Sequence, residues 1–135
     1  MLNIEKDKSK SCYAEPVGYG SPYTTYHKVI LNSGCFCSGK RTPTHELLHT
    51  LGFWHEHQRP DRDKYIEVDM TVVPFGSTYG NYIKHRWSLE KQPNEEKCNQ
   101  QDKSTWDYCY LTGSAVKNFG LEYDYNSIMH YWDSQ

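Results

Sequence analysis

Eleven consecutive residues, His45-Glu46-Leu47-Leu48-His49-Thr50-Leu51-Gly52-Phe53-Trp54-His55, fit the pattern HExxHxxGxxH at every fixed position. Two histidines four apart on a helix project from one face, a turn apart, so both imidazoles reach a single zinc ion. Glu46 follows the first histidine, where its carboxylate serves as a base toward a water on the metal's open side rather than as a ligand. A continuing helix would carry the next residues away from the metal. Gly52 tolerates positive φ and lets the chain turn back, which makes His55 the third ligand. Three neutral nitrogens leave the metal's charge undiminished and one position free, the arrangement that lowers a water's pKa to about 7 and polarises a carbonyl. One zinc ion per chain is the expectation. His27 and His85 have no partners at ligand spacing and are assigned surface or hydrogen-bonded roles, and His57 lies too close to His55 for a fourth ligand.

The elements that must hold these groups are legible in outline. A helix is predicted over 42–52, with Thr42 as cap, Pro43 in the first turn where its missing N–H costs nothing, and Gly52 as the stop. Leu47, Leu48 and Leu51 are expected to pack its other side into the core. Residues 1–40 read as strands and turns, with Tyr26–Leu31 β-prone and Pro16, Gly18, Gly20, Pro22, Gly34 and Gly39 as punctuation. Tyr65–Val68 alternates as a half-buried strand would, and 78–90 carries a weak helical signal through Tyr82, Ile83 and Arg86. Residues 91–118 are polar, contain Cys98 and Cys109, and read as a surface insertion closed by its own disulfide.

Composition narrows the partners. At 135 residues one domain is the prior, and 15 basic against 17 acidic residues leave a charge of −2, with no surplus to neutralise a phosphate backbone. Nucleic acid is excluded as an expected partner. The longest aliphatic run, Val29–Leu31, is far below the ~20 apolar residues of a membrane span. Cys12, Cys35, Cys37, Cys98 and Cys109 form no CxxC pair, so disulfides and an oxidising, secretory compartment are the better reading. Spacing does not decide the pairing; we expect Cys12 with Cys35 and Cys98 with Cys109, leaving Cys37 unassigned. The amino terminus lacks the apolar block of a signal peptide, so signal and propeptide are expected to lie outside this chain.

With the third histidine in place the sequence resembles the metzincin clan. His55-Glu56-His57 followed by Arg59-Pro60-Asp61-Arg62-Asp63-Lys64-Tyr65 is similar to the astacin family in particular, and Ser127-Ile128-Met129-His130-Tyr131 matches that family's Met-turn. The resemblance implies an α+β, zincin-like fold: a twisted sheet and the active-site helix in an upper lobe, an irregular lower lobe, and zinc in the cleft between. It implies that 1–135 is a partial catalytic domain, with an upper lobe to about residue 55 and a lower lobe over 56–135. It also implies that His45, His49 and His55 bind zinc, that Glu46 is the general base, and that Met129 floors the site. Tyr131 becomes a fifth ligand that swings away to hydrogen-bond the transition state, Glu56 holds the mature amino terminus through water, and Cys12 pairs with Cys35. The implied function is a secreted zinc endopeptidase acting on protein or peptide substrates, with the strand at Tyr26–Leu31 offering an edge to an extended substrate. The alternative is a truncated, non-catalytic zinc-containing module for binding or matrix interaction.

Overall fold

The computed structural model describes residues 1–6, 11–18, 26–37, 39–73, 79–87 and 115–131. They fall into two compact units, Met1–Trp54 and His55–Gln135.

The first unit is built on three strands, β1 (Leu2–Glu5), β2 (Tyr13–Glu15) and β3 (His27–Ile30), in the order β1-β3-β2. β3 runs parallel to β1, with Ile4 opposite Val29, and antiparallel to β2, with Tyr13 opposite Ile30. Successive side chains of a strand point to opposite faces, yet Val29 and Ile30 are both fully buried, so this central strand is covered on both sides. The expectation that Tyr26–Leu31 would present an edge to substrate is corrected: both edges of β3 are already paired, and β1 and β2 are the outer strands among the described residues. A disulfide joins Cys12, just before β2, to Cys35 in the 3₁₀ turn Ser33–Phe36. Beside it Asn32 donates through Nδ2 to the Ser11 carbonyl at 2.9 Å.

Helix α1 (Arg41–Thr50) packs on β2, β3 and that turn. It starts one residue before the sequence prediction. Lys40, not Thr42, occupies the cap position, and no side chain caps it; the Lys40 carbonyl instead accepts from the Thr44 N–H and hydroxyl. Pro43 still lies in the first turn, where its missing donor is harmless. The leucine expectation is corrected in part: Leu51 is 73% exposed, while Pro43, Glu46 and His49 form the buried stripe. The most buried face of the helix is therefore the one that carries Glu46 and His49, not the leucine side.

The described part of the second unit is mostly irregular, with 3₁₀ turns at Glu56–Gln58, Arg62–Lys64 and Tyr79–Asn81 and a two-residue parallel ladder between β4 (Arg86–Trp87) and β5 (Ala115–Val116). The strand expected at Tyr65–Val68 does not form. Burial alternates there, with Ile66 and Val68 half-buried, but no ladder partner is present among the described residues. Val68 and Tyr82 instead pack on a small core of Met70, Val73 and Ile83. The helix expected within 78–90 is replaced by the turn at Tyr79–Asn81 and by β4, and 88–90 lie outside the described residues. Arg62, fully buried, organises this region by donating to the carbonyls of His57 and Tyr82 and pairing with Asp63. The expected insertion at 91–118, with Cys98 and Cys109, lies outside the described residues apart from 115–118. Cys37 is exposed with a free thiol.

Candidate metal centre

His45 and His49 stand one helical turn apart on α1, and their Nε2 atoms lie 3.1 Å from each other. Two nitrogens bound tetrahedrally at 2.0–2.1 Å to one zinc ion would be separated by roughly 3.3 Å, so this pair already has the spacing of two ligands. The helix then ends in a Schellman motif: Gly52 N–H donates to the His49 carbonyl at 3.0 Å, and Phe53 N–H to that of Leu48 at 3.1 Å. Gly52 adopts φ +99°, as this termination requires. A second glycine, Gly18, passes so close that a Cβ on it would come within 3.3 Å of the Gly52 Cα. Over this continuous stretch of chain the turn brings His55 back, and ligand atoms of His45, His49 and His55 all lie within 4.8 Å of one another. The three histidines could hold a zinc ion.

The hydrogen bonds behind the rings support that fit. His49 Nδ1 donates to the Phe53 carbonyl at 2.8 Å, which puts the ring's lone pair on Nε2. Burial, the larger cause, and the neighbouring His45 lower the His49 pKa, and both favour the neutral, metal-binding form. Gln58 does the same for His55. Its amide nitrogen donates to the carbonyls of Gly80 at 3.0 Å and Ile83 at 3.2 Å, so its Oε1 must accept from His55 Nδ1 at 3.1 Å. Again Nε2 is the atom that carries the ligand lone pair.

Glu46 is 7% exposed, and burial raises its pKa to about 7 against an opposing hydrogen bond from the Ala14 backbone. A divalent cation nearby would favour the ionised form and bring that value down. A carboxyl in this range both takes and returns a proton near neutrality.

The other expected residues gather in the second unit. Met129 is 3% exposed in the turn closed by His130 N–H to the Ser127 carbonyl, and its own carbonyl accepts from the Glu56 N–H at 3.0 Å. The Tyr131 ring lies 4.7 Å from the ring of His55 and 4.3 Å from that of His57. Glu56 does not wait alone for an amino terminus: its Oε1 accepts from Arg59 Nη1 at 2.9 Å and from the Asp124 N–H at 3.0 Å. Arg59 also forks onto Asp61 and reaches the carbonyls of Leu121 and Glu122, so all five of its donors are used, three within 56–61 and two on 121–122. Sequence reasoning missed Gln58 and His57. Gln58 sits three residues after a ligand, a spacing that could have suggested a partner for its ring, whereas His57 was set aside only as a ligand.

Comparison with known proteins identifies the family. The sequence model described as Astacin, a peptidase family, matches residues 2–135. The chain is 33% identical over 113 residues to Zinc metalloproteinase nas-30 of Caenorhabditis elegans, a match covering 84% of this chain and 12% of that protein. It is 36% identical over 103 residues to Astacin-like metalloendopeptidase of Mus musculus, covering 76% of this chain and 17% of its relative. Among solved structures it is similar to High choriolytic enzyme 1, a hatching enzyme zinc-protease from Oryzias latipes (TM-score 0.49, 26% identity, 95% of this chain and 46% of that one). The chain thus spans less than a fifth of the length of the two curated relatives. With a family match running from residue 2 to the last residue and the three-histidine cluster seated in the segment that carries the family's pattern, the chain belongs to the astacin family.

Proposed function

We propose that this chain carries the zinc-binding and proton-transfer residues of a secreted endopeptidase that hydrolyses peptide bonds in protein substrates. The observation that carries the reading is the convergence of His45, His49 and His55 within 4.8 Å, with Glu46 buried on the same helix. Bound there, zinc would supply an acidified water and a Lewis acid for the peptide carbonyl. Glu46 takes the proton of the attacking water and returns it to the leaving amine, a cycle that suits a carboxyl whose pKa burial raises and a bound cation draws back down. The Tyr131 phenol, packed on His55, donates a hydrogen bond to the oxyanion of the tetrahedral intermediate. Met129 is buried in its turn, and its carbonyl holds the Glu56 N–H next to His55. A secreted location is supported by the Cys12–Cys35 disulfide, a bond that persists in oxidising compartments.

The test is a zinc titration of the 135-residue chain with a cleavage assay on a denatured protein, run beside Glu46→Gln. One zinc per chain is expected, with cleavage that a chelator abolishes and added zinc restores. Glu46→Gln should keep the metal and lose about 10²- to 10⁴-fold in kcat. Zinc uptake without Glu46-dependent cleavage would identify a non-catalytic binding module instead. A folded chain that takes up no zinc would defeat both readings.

A further inference from the structure

His57 is 3% exposed and bridges two segments of the second unit that are far apart in sequence. Its Nε2 lies 2.6 Å from the Asn81 carbonyl, an acceptor only, so Nε2 carries the proton. Its Nδ1 lies 3.4 Å from the Tyr131 backbone nitrogen, a donor only, so Nδ1 must be the bare acceptor. These two contacts specify one neutral tautomer with no freedom to flip. The ring also packs face to face with His55 at 5.3 Å and an interplanar angle of 19°, and lies against Tyr131 at 4.3 Å and 33°. His55, His57 and Tyr131 are thus a mutually packed set of three rings, in which the first is a candidate ligand and the last the candidate oxyanion donor. On the other side of the Tyr131 peptide, His130 Nδ1 donates to the Tyr131 carbonyl, and the Tyr123 hydroxyl donates to His130 Nε2 at 2.6 Å. The phenol is therefore presented by a backbone fastened at both its N–H and its carbonyl.

We propose that His57 is a positioning residue that fixes the backbone of Tyr131 beside His55, so that the phenol moves between metal and substrate from a held pivot. The proposal rests on the reading of Tyr131 as oxyanion donor. A donor carried on a fixed backbone needs less reorganisation as charge develops, and a small misplacement of such a group costs rate rather than substrate affinity.

Two substitutions separate positioning from simple packing. His57→Phe keeps the stacked ring and deletes both hydrogen bonds; His57→Gln keeps an amide able to replace one of them. In the zinc-loaded chain His57→Phe should lower kcat about tenfold with KM changed less than about twofold, and His57→Gln should recover most of the loss. In a Tyr131→Phe background His57→Phe should cost less than about twofold more, because its effect runs through the missing phenol. A second readout is independent of turnover. Amide hydrogen exchange in the chain under chelator should accelerate about tenfold within 127–131 for His57→Phe and stay unchanged in α1.

Additive losses in the double variant, or exchange accelerated equally in α1 and 127–131, would overturn the proposal and show a merely structural histidine. If Tyr131→Phe alone leaves kcat intact, the oxyanion reading fails, and exchange alone then decides on positioning: acceleration confined to 127–131 supports it, no change overturns it. Should His57→Phe not fold, His57→Asn, whose amide oxygen replaces Nδ1 only, takes its place. Retained protection at Tyr131 then supports the proposal, and lost protection overturns it.

Discussion

Gly52 offers the sharpest test of how the three histidines are assembled. Its φ of +99° lies in the region that L side chains avoid, at a cost of about 1–2 kcal/mol for alanine. Crowding adds little, because among the described residues a Cβ on Gly52 would meet only the Gly18 Cα at 3.5 Å, an ordinary contact. Backbone strain therefore sets the magnitude. Gly52→Ala should lower the Tm of the chain by roughly 3–10 °C in chelator, and Gly52→Asn, which tolerates left-handed backbone better, by about half as much. Strain relieved by unwinding the turn would also carry His55 away from His45 and His49. The stabilisation gained from excess zinc should then shrink in the alanine variant, because binding to the native state is what that shift reports. The assay is a pair of thermal melts per variant, in chelator and in zinc. If alanine melted at or above the parent, the loss of unfolded-state entropy would be the dominant effect and the positive φ would not be the constraint argued here.

Two further outcomes follow from the ion pairs and the disulfide. Burial opposes ionisation of Asp63, but hydrogen bonds from Lys84 and Arg62 outweigh it and hold its carboxyl below the usual value. Its contribution is thus fully present above the unfolded-state pKa near 3.9 and fades as pH falls through the depressed folded value. With the side chain 52% exposed, solvent screening keeps this under about 1 kcal/mol; Asp63→Asn should be less stable than the parent at pH 6, with the gap closing below pH 4 in denaturant melts. The Cys12–Cys35 bond closes a loop of sequence separation 23, for which chain entropy gives about 3 kcal/mol. Replacing both cysteines by serine should lower the denaturant midpoint accordingly, and an unchanged midpoint would place the stability of the first unit elsewhere.

What the sequence determined by itself was the candidate zinc ligands and their local geometry. A four-residue spacing on a helix dictates that two imidazoles share a face, and a glycine three residues after the second dictates that the helix can stop there; both are properties of the backbone, independent of the rest of the chain. The Nε2 separation of 3.1 Å and the Schellman turn follow from those rules. Tertiary structure decided what surrounds them. The buried stripe of α1 runs through Pro43, Glu46 and His49 and leaves Leu51 in solvent, because burial depends on what packs against a helix and not on its own hydropathy. Tyr65–Val68 alternates like a strand but has no ladder partner among the described residues, since pairing is a long-range event that periodicity cannot announce. Gln58 and His57 meet carbonyls more than 20 residues away, and His57 also meets the Tyr131 N–H. Such contacts join residues distant along the chain, and no local pattern of residue types encodes them.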